Sequence, residues 1–117
     1  MGTSSNNDKE SNVLYMVPEH NAKFREQEDH IVLLEPKFKM KFLKKHLMPR
    51  MKSPYYKIHL DDFGSFVWKE IDGQKTVMDI AEKLQNEFGE SVDPVYERLG
   101  LFINMLAQRK YISLTER

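Results

Sequence analysis

The hydrophobic period of this chain changes at Asp61. Before it, Tyr55 to Leu60 alternates, with Tyr56, Ile58 and Leu60 on one face and Tyr55, Lys57 and His59 on the other, the pattern of a strand with one wet face. After it, apolar residues recur every three or four positions in three short runs: Phe63, Val67 and Ile71; Val77, Ile80, Ala81, Leu84 and Phe88; Val95, Leu99, Phe102, Ile103 and Leu106. Each run carries helix boundary signals. Asp61 caps the first and Asp72-Gly73 ends it, Thr76 and Asp79 have capping-box spacing before the second, and Gly89 stops that one. Asp93 as N-cap and Pro94 as first helical residue open the third, which should run to about Gln108. Gly64 is expected where a neighbouring backbone approaches.

Upstream, Val13 to Val17 is apolar, and Phe24–Glu26 and Ile31–Leu34 flank the polar Gln27-Glu28-Asp29 as a hairpin, with Pro36 ending its second strand. Tyr55–Leu60 supplies a third strand, and Tyr111, Ile112 and Leu114 close the chain as a short strand beneath the helices. The fold class expected is therefore α+β, an N-terminal antiparallel three-stranded sheet followed by a three-helix bundle. Its 117 residues fit one domain over 13–114, with a disordered tail at 1–12 and a short tail at 115–117.

Residues 37–54 form an insert that first alternates and then shifts to helical spacing at Leu43 and Leu47, so its structure stays open. Its charge is one-sided. Lys37, Lys39, Lys41, Lys44, Lys45, Arg50 and Lys52 contribute seven of the 18 basic residues and the segment Lys37–Lys52 holds none of the 18 acidic ones. A formal net charge of zero thus hides a basic excursion on an acidic body, a patch for an anionic partner. The bland alternative is a solvated loop lying against that body.

Chemistry is sparse. Cysteine is absent, which excludes disulfides, thiolate nucleophiles and cysteine-ligated metals and is compatible with the cytoplasm. His20, His30, His46 and His59 fall on different elements without metal-ligand spacing, so no metal and no cofactor are expected. Asp61-Asp62 is explained by capping and the helix dipole, and no phosphate-binding glycine loop or nucleophile elbow is present. No apolar run reaches the roughly 18 residues that span a bilayer, and the N-terminus lacks a secretory core. Met1-Gly2 does not continue as a myristoylation motif, since Asn6 stands where Ser or Thr is required. These exclusions favour a non-catalytic, cytoplasmic binding module.

Two surfaces suit binding. On a helical wheel Arg98, Leu101, Met105 and Arg109 form one flank of the last helix, beside its core stripe. If Tyr55–Leu60 is an edge strand next to that flank, its free backbone groups could pair with an incoming extended peptide, and the arginines would favour an acidic one. The competing reading of Leu101 and Met105 is extra core or a homodimer contact.

The run Ile58-His59-Leu60-Asp61-Asp62-Phe63-Gly64-Ser65-Phe66-Val67-Trp68-Lys69-Glu70-Ile71-Asp72-Gly73, then Thr76-Val77 and Ile80, resembles the signature of the PqqD family, named for pyrroloquinoline quinone (PQQ) biosynthesis. The likeness continues through Leu84, Phe88, Leu99, Phe102, Leu106 and Lys110-Tyr111-Ile112, covering roughly Val13 to Leu114. It departs from the family in the long basic insert and in Lys110-Tyr111-Ile112, where the family usually closes with Gly-Leu-Ile.

The resemblance implies a winged-helix-like recognition element of ribosomal peptide biosynthesis that catalyses nothing itself. Such an element binds the leader of a precursor peptide and presents it to a modifying enzyme, commonly a radical S-adenosylmethionine (radical SAM) protein. The leader would add to the third strand beside the last helix, at Tyr55, Lys57, Ile58, His59, Arg98, Leu101, Met105 and Arg109. The alternatives are a winged-helix nucleic-acid binder using the basic insert, and a homodimeric scaffold. Nucleic acid is disfavoured because Thr76–Phe88 carries Asp79, Glu82 and Glu87 against Lys83 alone, and a membrane partner is not expected.

Overall fold

Glu28 and Asp29 both take positive φ, 53° and 67°, which makes the first turn a two-residue hairpin connection whose twist matches that of its strands. It joins β2 (Lys23–Gln27) to β3 (His30–Pro36), and β3 pairs on its other side with β4 (Tyr55–His59), giving an antiparallel sheet in the order β2-β3-β4. This computed structural model describes residues 13–117; the disorder expected for Met1–Asn12 lies outside the described residues. Between β3 and β4 the basic insert forms α1 (Lys41–His46) and a single 3-10 turn, Met48–Arg50. Three further helices follow: α2 (Asp62–Glu70), α3 (Val77–Phe88) and α4 (Val95–Gln108).

The apolar stretch after Val13 builds a second sheet. Strand β1 (Met16–His20) pairs antiparallel with β5 (Ile112–Glu116), from Met16 opposite Glu116 to His20 opposite Ile112. The closing strand thus runs to Glu116, into residues expected to be a tail. The fold is α+β, with antiparallel sheets and four helices among the described residues.

The core lies between the β2-β3-β4 sheet and the helices. Ile31 and Leu33 from β3 meet Trp68, Ile80, Leu84, Leu99, Ile103 and Leu106, all fully buried. Ser65 fixes the junction of β4 and α2. Its buried hydroxyl accepts the Ile31 N–H at 2.9 Å and donates to the Leu60 carbonyl at 3.2 Å, so the strand and the helix that follows it cannot drift apart without orphaning buried groups.

The helix starts agree with the sequence in two places and differ in one. Asp61 accepts the Gly64 N–H at 2.8 Å, and Thr76 and Asp79 form a reciprocal capping box. At α4 the cap position falls on Pro94, which has no side-chain acceptor, so Asp93 does not cap. Gly64 also differs from expectation: a Cβ there would meet Phe102 Cζ at 3.2 Å and Leu60 Cβ at 3.3 Å, so side chains rather than backbone crowd it.

Asp72 in the turn after α2 and Asp79 in the α3 capping box imply an acid-sensitive fold. The Lys75 and Gln74 backbone N–H groups, joined by the Lys75 ammonium, hold the Asp72 carboxyl down at about 2, and the Thr76 backbone N–H lowers that of Asp79. A carboxyl depressed by folding stabilises above its unfolded value and loses that contribution as pH falls through its folded value. The melting temperature should therefore hold steady down to about pH 5 and fall between about pH 4 and 2. In D72N and D79N variants, the part of the decline owed to each residue should disappear from the melting curve.

Candidate functional site

Strand β4 ends the three-stranded sheet, so among the described residues one of its sides has no neighbouring strand. Two bonds fix which residues face which way. The Leu60 N–H donates to the Ile31 carbonyl at 2.9 Å and the Lys37 N–H to the Pro54 carbonyl at 3.0 Å. Because antiparallel pairing alternates, Tyr56 and Ile58 direct their backbone groups at β3, and Tyr55, Lys57 and His59 direct theirs outward. Among the described residues no backbone hydrogen bond reaches those outward groups.

Beside this edge runs a groove of about 380 Å³, walled by Ile58 and Leu60 on one side and by Met105, Leu106 and Arg109 of α4 on the other, with Leu33 and Tyr111 completing it. The lining is apolar except for the Arg109 head and the Tyr111 hydroxyl. That hydroxyl donates to Glu35 Oε2 at 2.9 Å, and burial together with this carboxylate pushes the phenol pKa up.

The wheel-based flank of α4 splits. Met105 and Arg109 line the groove, but Arg98 and Leu101 stand outside it. Arg98 donates to the Ser91 carbonyl at 3.0 Å and lies over the Phe63 ring, 4.8 Å from its centre. Leu101, 70% exposed, borders a different cavity with Val13, Met16 and Leu114, next to the β1–β5 sheet, and Met105 reaches this cavity as well. Of the strand residues, Ile58 is half-buried in the groove, Lys57 and His59 are exposed, and Tyr55 accepts a hydrogen bond from Lys23 Nζ at 3.2 Å.

The basic insert disperses. Lys39 and Lys44 line a cavity with the end of α4, while Lys41 and Lys45, again with Lys44, border a neighbouring hollow with Met48, Pro49 and Pro54. Lys37 lies over the Tyr56 ring, 5.4 Å from its centre, and Arg50 and Lys52 are exposed. The insert leaves the outer side of β4 without a backbone partner among the described residues.

Sequence reasoning missed Leu33, Leu106 and Tyr111 as groove residues and Lys23 and Lys110 as neighbours of the insert. Leu60 was within reach, since it shares the alternating face of Ile58. The others come from elements whose packing has no local signature.

Among the described residues, reactive groups are not gathered anywhere comparable. His30 pairs with Asp62 on the surface, and among the described residues no group of three or more His, Asp or Glu is placed to hold a metal. No helix among the described residues is long and apolar enough to cross a membrane.

The family model described as coenzyme PQQ synthesis protein D (PqqD) matches residues 50–112. No curated protein and no solved structure matches the chain. The matched stretch begins at the end of the insert, takes in β4, α2, α3 and α4, and stops at the first residue of β5. It covers more than half of the sequence and includes both walls of the groove; the chain therefore belongs to the PqqD family.

Proposed function

We propose that this protein is a non-catalytic peptide-recognition module in which an extended segment adds to β4 and lays alternate side chains into the groove against α4. The observation that carries this reading is the unpartnered edge formed by Tyr55, Lys57 and His59 beside an apolar trough. Main-chain hydrogen bonds along such an edge supply affinity with little demand on sequence, and the trough supplies selectivity. Family membership suggests the occupant: the leader of a ribosomally made precursor peptide, held for a modifying enzyme of the radical SAM class in PQQ-type biosynthesis. In this reading β2-β3-β4 is the wing and α2, α3 and α4 are the three-helix bundle of a winged-helix-like element. Arg109 would sit at the rim, where it can pair with an acidic side chain.

The test is hydrogen exchange and amide NMR on titration with leader peptides encoded by short neighbouring genes. Strand addition should slow exchange at Tyr55, Lys57 and His59 while leaving Tyr56 and Ile58, already bonded to β3, nearly unchanged. Protection spread evenly along β4, or shifts confined to other elements, would remove the reading.

One observation favours a second use of α4, a homodimer joined through Leu101 and Met105: these residues are 70% and 37% exposed side by side. Light scattering decides it, since a strict monomer at high concentration leaves that surface to another partner.

A further inference from the structure

At the Tyr55 end of β4 lies a second cavity of about 310 Å³, and its charge is unlike that of the groove. Five cations from three separate parts of the chain converge on it: Lys23 from β2, Lys39 and Lys44 from the insert, and Arg109 and Lys110 from the end of α4. One carboxylate, Glu35, shares the cavity and is already engaged by Lys39 at 3.4 Å and by the Tyr111 hydroxyl. Among the described residues, the other four cations have no carboxylate within ion-pair distance. Arg109 and Tyr111 line both the cavity and the groove, so the two adjoin.

The backbone supplies an independent observation. Lys110 sits just past α4 with φ of 64°, in the left-handed region that glycine enters freely and a residue with a Cβ does not. Two bonds from Asn21 hold this turn, its side-chain amide donating to the Lys110 carbonyl at 3.1 Å and its N–H to the Tyr111 carbonyl at 2.8 Å. A helix end that needed only to stop would be better served by glycine. A lysine held in this conformation at the lining of a cavity, beside other cations without a carboxylate partner, points to a site where the charge is used.

We infer that this cavity binds the carboxylates of an acidic segment flanking the strand-forming part of the peptide that occupies the groove. The inference rests on the groove reading for the identity of its ligand, because a strand added along β4 past the shared Arg109 and Tyr111 would bring its flank to Lys23, Lys39, Lys44 and Lys110. The basic insert then acts as a selectivity device, contributing two cations that the strand and α4 alone do not provide. Glu35 works against excess affinity, keeping one cation occupied and repelling carboxylates that sit badly.

The experiment uses the full chain and N-acetyl-pentaglutamate amide as the probe, followed by amide NMR at two salt concentrations. Saturable shifts are expected at Asn21–Lys23, Glu35–Lys39 and Arg109–Tyr111, weakening as salt rises from 50 to about 200 mM because the contacts are between partly exposed charges. The double variant K44E/K110G should bind the probe about fivefold to tenfold more weakly, and E35Q about twofold to threefold more tightly. K110G alone should raise the melting temperature by about 3 °C while weakening the probe, opposite signs that a purely structural lysine would not give.

Absence of saturable shifts at these residues, unchanged affinity in K44E/K110G, or tighter binding there of a single-stranded oligonucleotide or of phosphatidylserine vesicles would overturn the inference. A second arm appends the five glutamates to either end of a leader peptide. If pentaglutamate shifts the cavity but no peptide protects Tyr55, Lys57 and His59, the groove reading fails while the cavity remains an acidic-peptide site. If the peptide protects β4 and the glutamates add nothing, the cavity inference fails and the groove reading stands.

Discussion

Replacing Lys57 with proline should weaken binding of an extended peptide about 10- to 100-fold while leaving the fold nearly as stable as before. The asymmetry comes from register. Lys57 directs its N–H away from β3, so proline removes no bond from the existing sheet, yet it deletes a donor at the middle of the free edge and puts a ring where an added strand would lie. Ile58→Pro is the control with the reverse outcome: its N–H is directed at β3, and its loss should cost about 3 kcal/mol of stability. Peptide titration and thermal melts on the two variants separate the effects. Equal loss of affinity and stability in Lys57→Pro would mean that the edge is not open in solution.

Trp68→Ala should be the most destabilising single change, at about 3–5 kcal/mol, a large share of what a domain of this size possesses. Trp68 is fully buried, stacks on His20 with ring centres 4.1 Å apart, and meets the edge of Phe24 at 5.4 Å. His20 Nε2 also donates to the Trp68 carbonyl at 2.8 Å. One indole thereby joins α2 to both sheets, through β1 and β2. Its own Nε1 is buried with no hydrogen-bond partner among the described residues, a cost that phenylalanine would not carry. Trp68→Phe should therefore lose only about 1 kcal/mol. Circular dichroism in denaturant measures both, since the chain has a single tryptophan and its fluorescence is lost with it.

Much of the element layout was legible because its signals are local. The alternation of Tyr55–Leu60, the Thr76–Asp79 capping box and the Gly89 stop each involve residues within a turn or two of one another, where steric and hydrogen-bonding rules act without help from the rest of the chain. The candidate site was half legible. A helical wheel gives angles around α4 but not the position of its neighbours, so it set Leu101 rightly beside Met105 but could not show that Met105 and Arg109 line the groove while Arg98 and Leu101 do not. In the folded chain Phe63 and Ser91 occupy Arg98, and Leu101 turns to the β1–β5 side.

What the sequence determined by itself is the hairpin, β4, the three helices after Asp61, the caps at Asp61 and Thr76 and the basic character of the insert, because these depend on interactions a few residues long. Only the tertiary structure decided that Met16 lies opposite Glu116, that the outer side of β4 lacks a strand partner among the described residues, and that Lys23, Lys44 and Lys110 meet at one cavity. Those facts depend on closing loops of tens of residues, where many pairings are open to the same local pattern and the burial of the whole core selects among them.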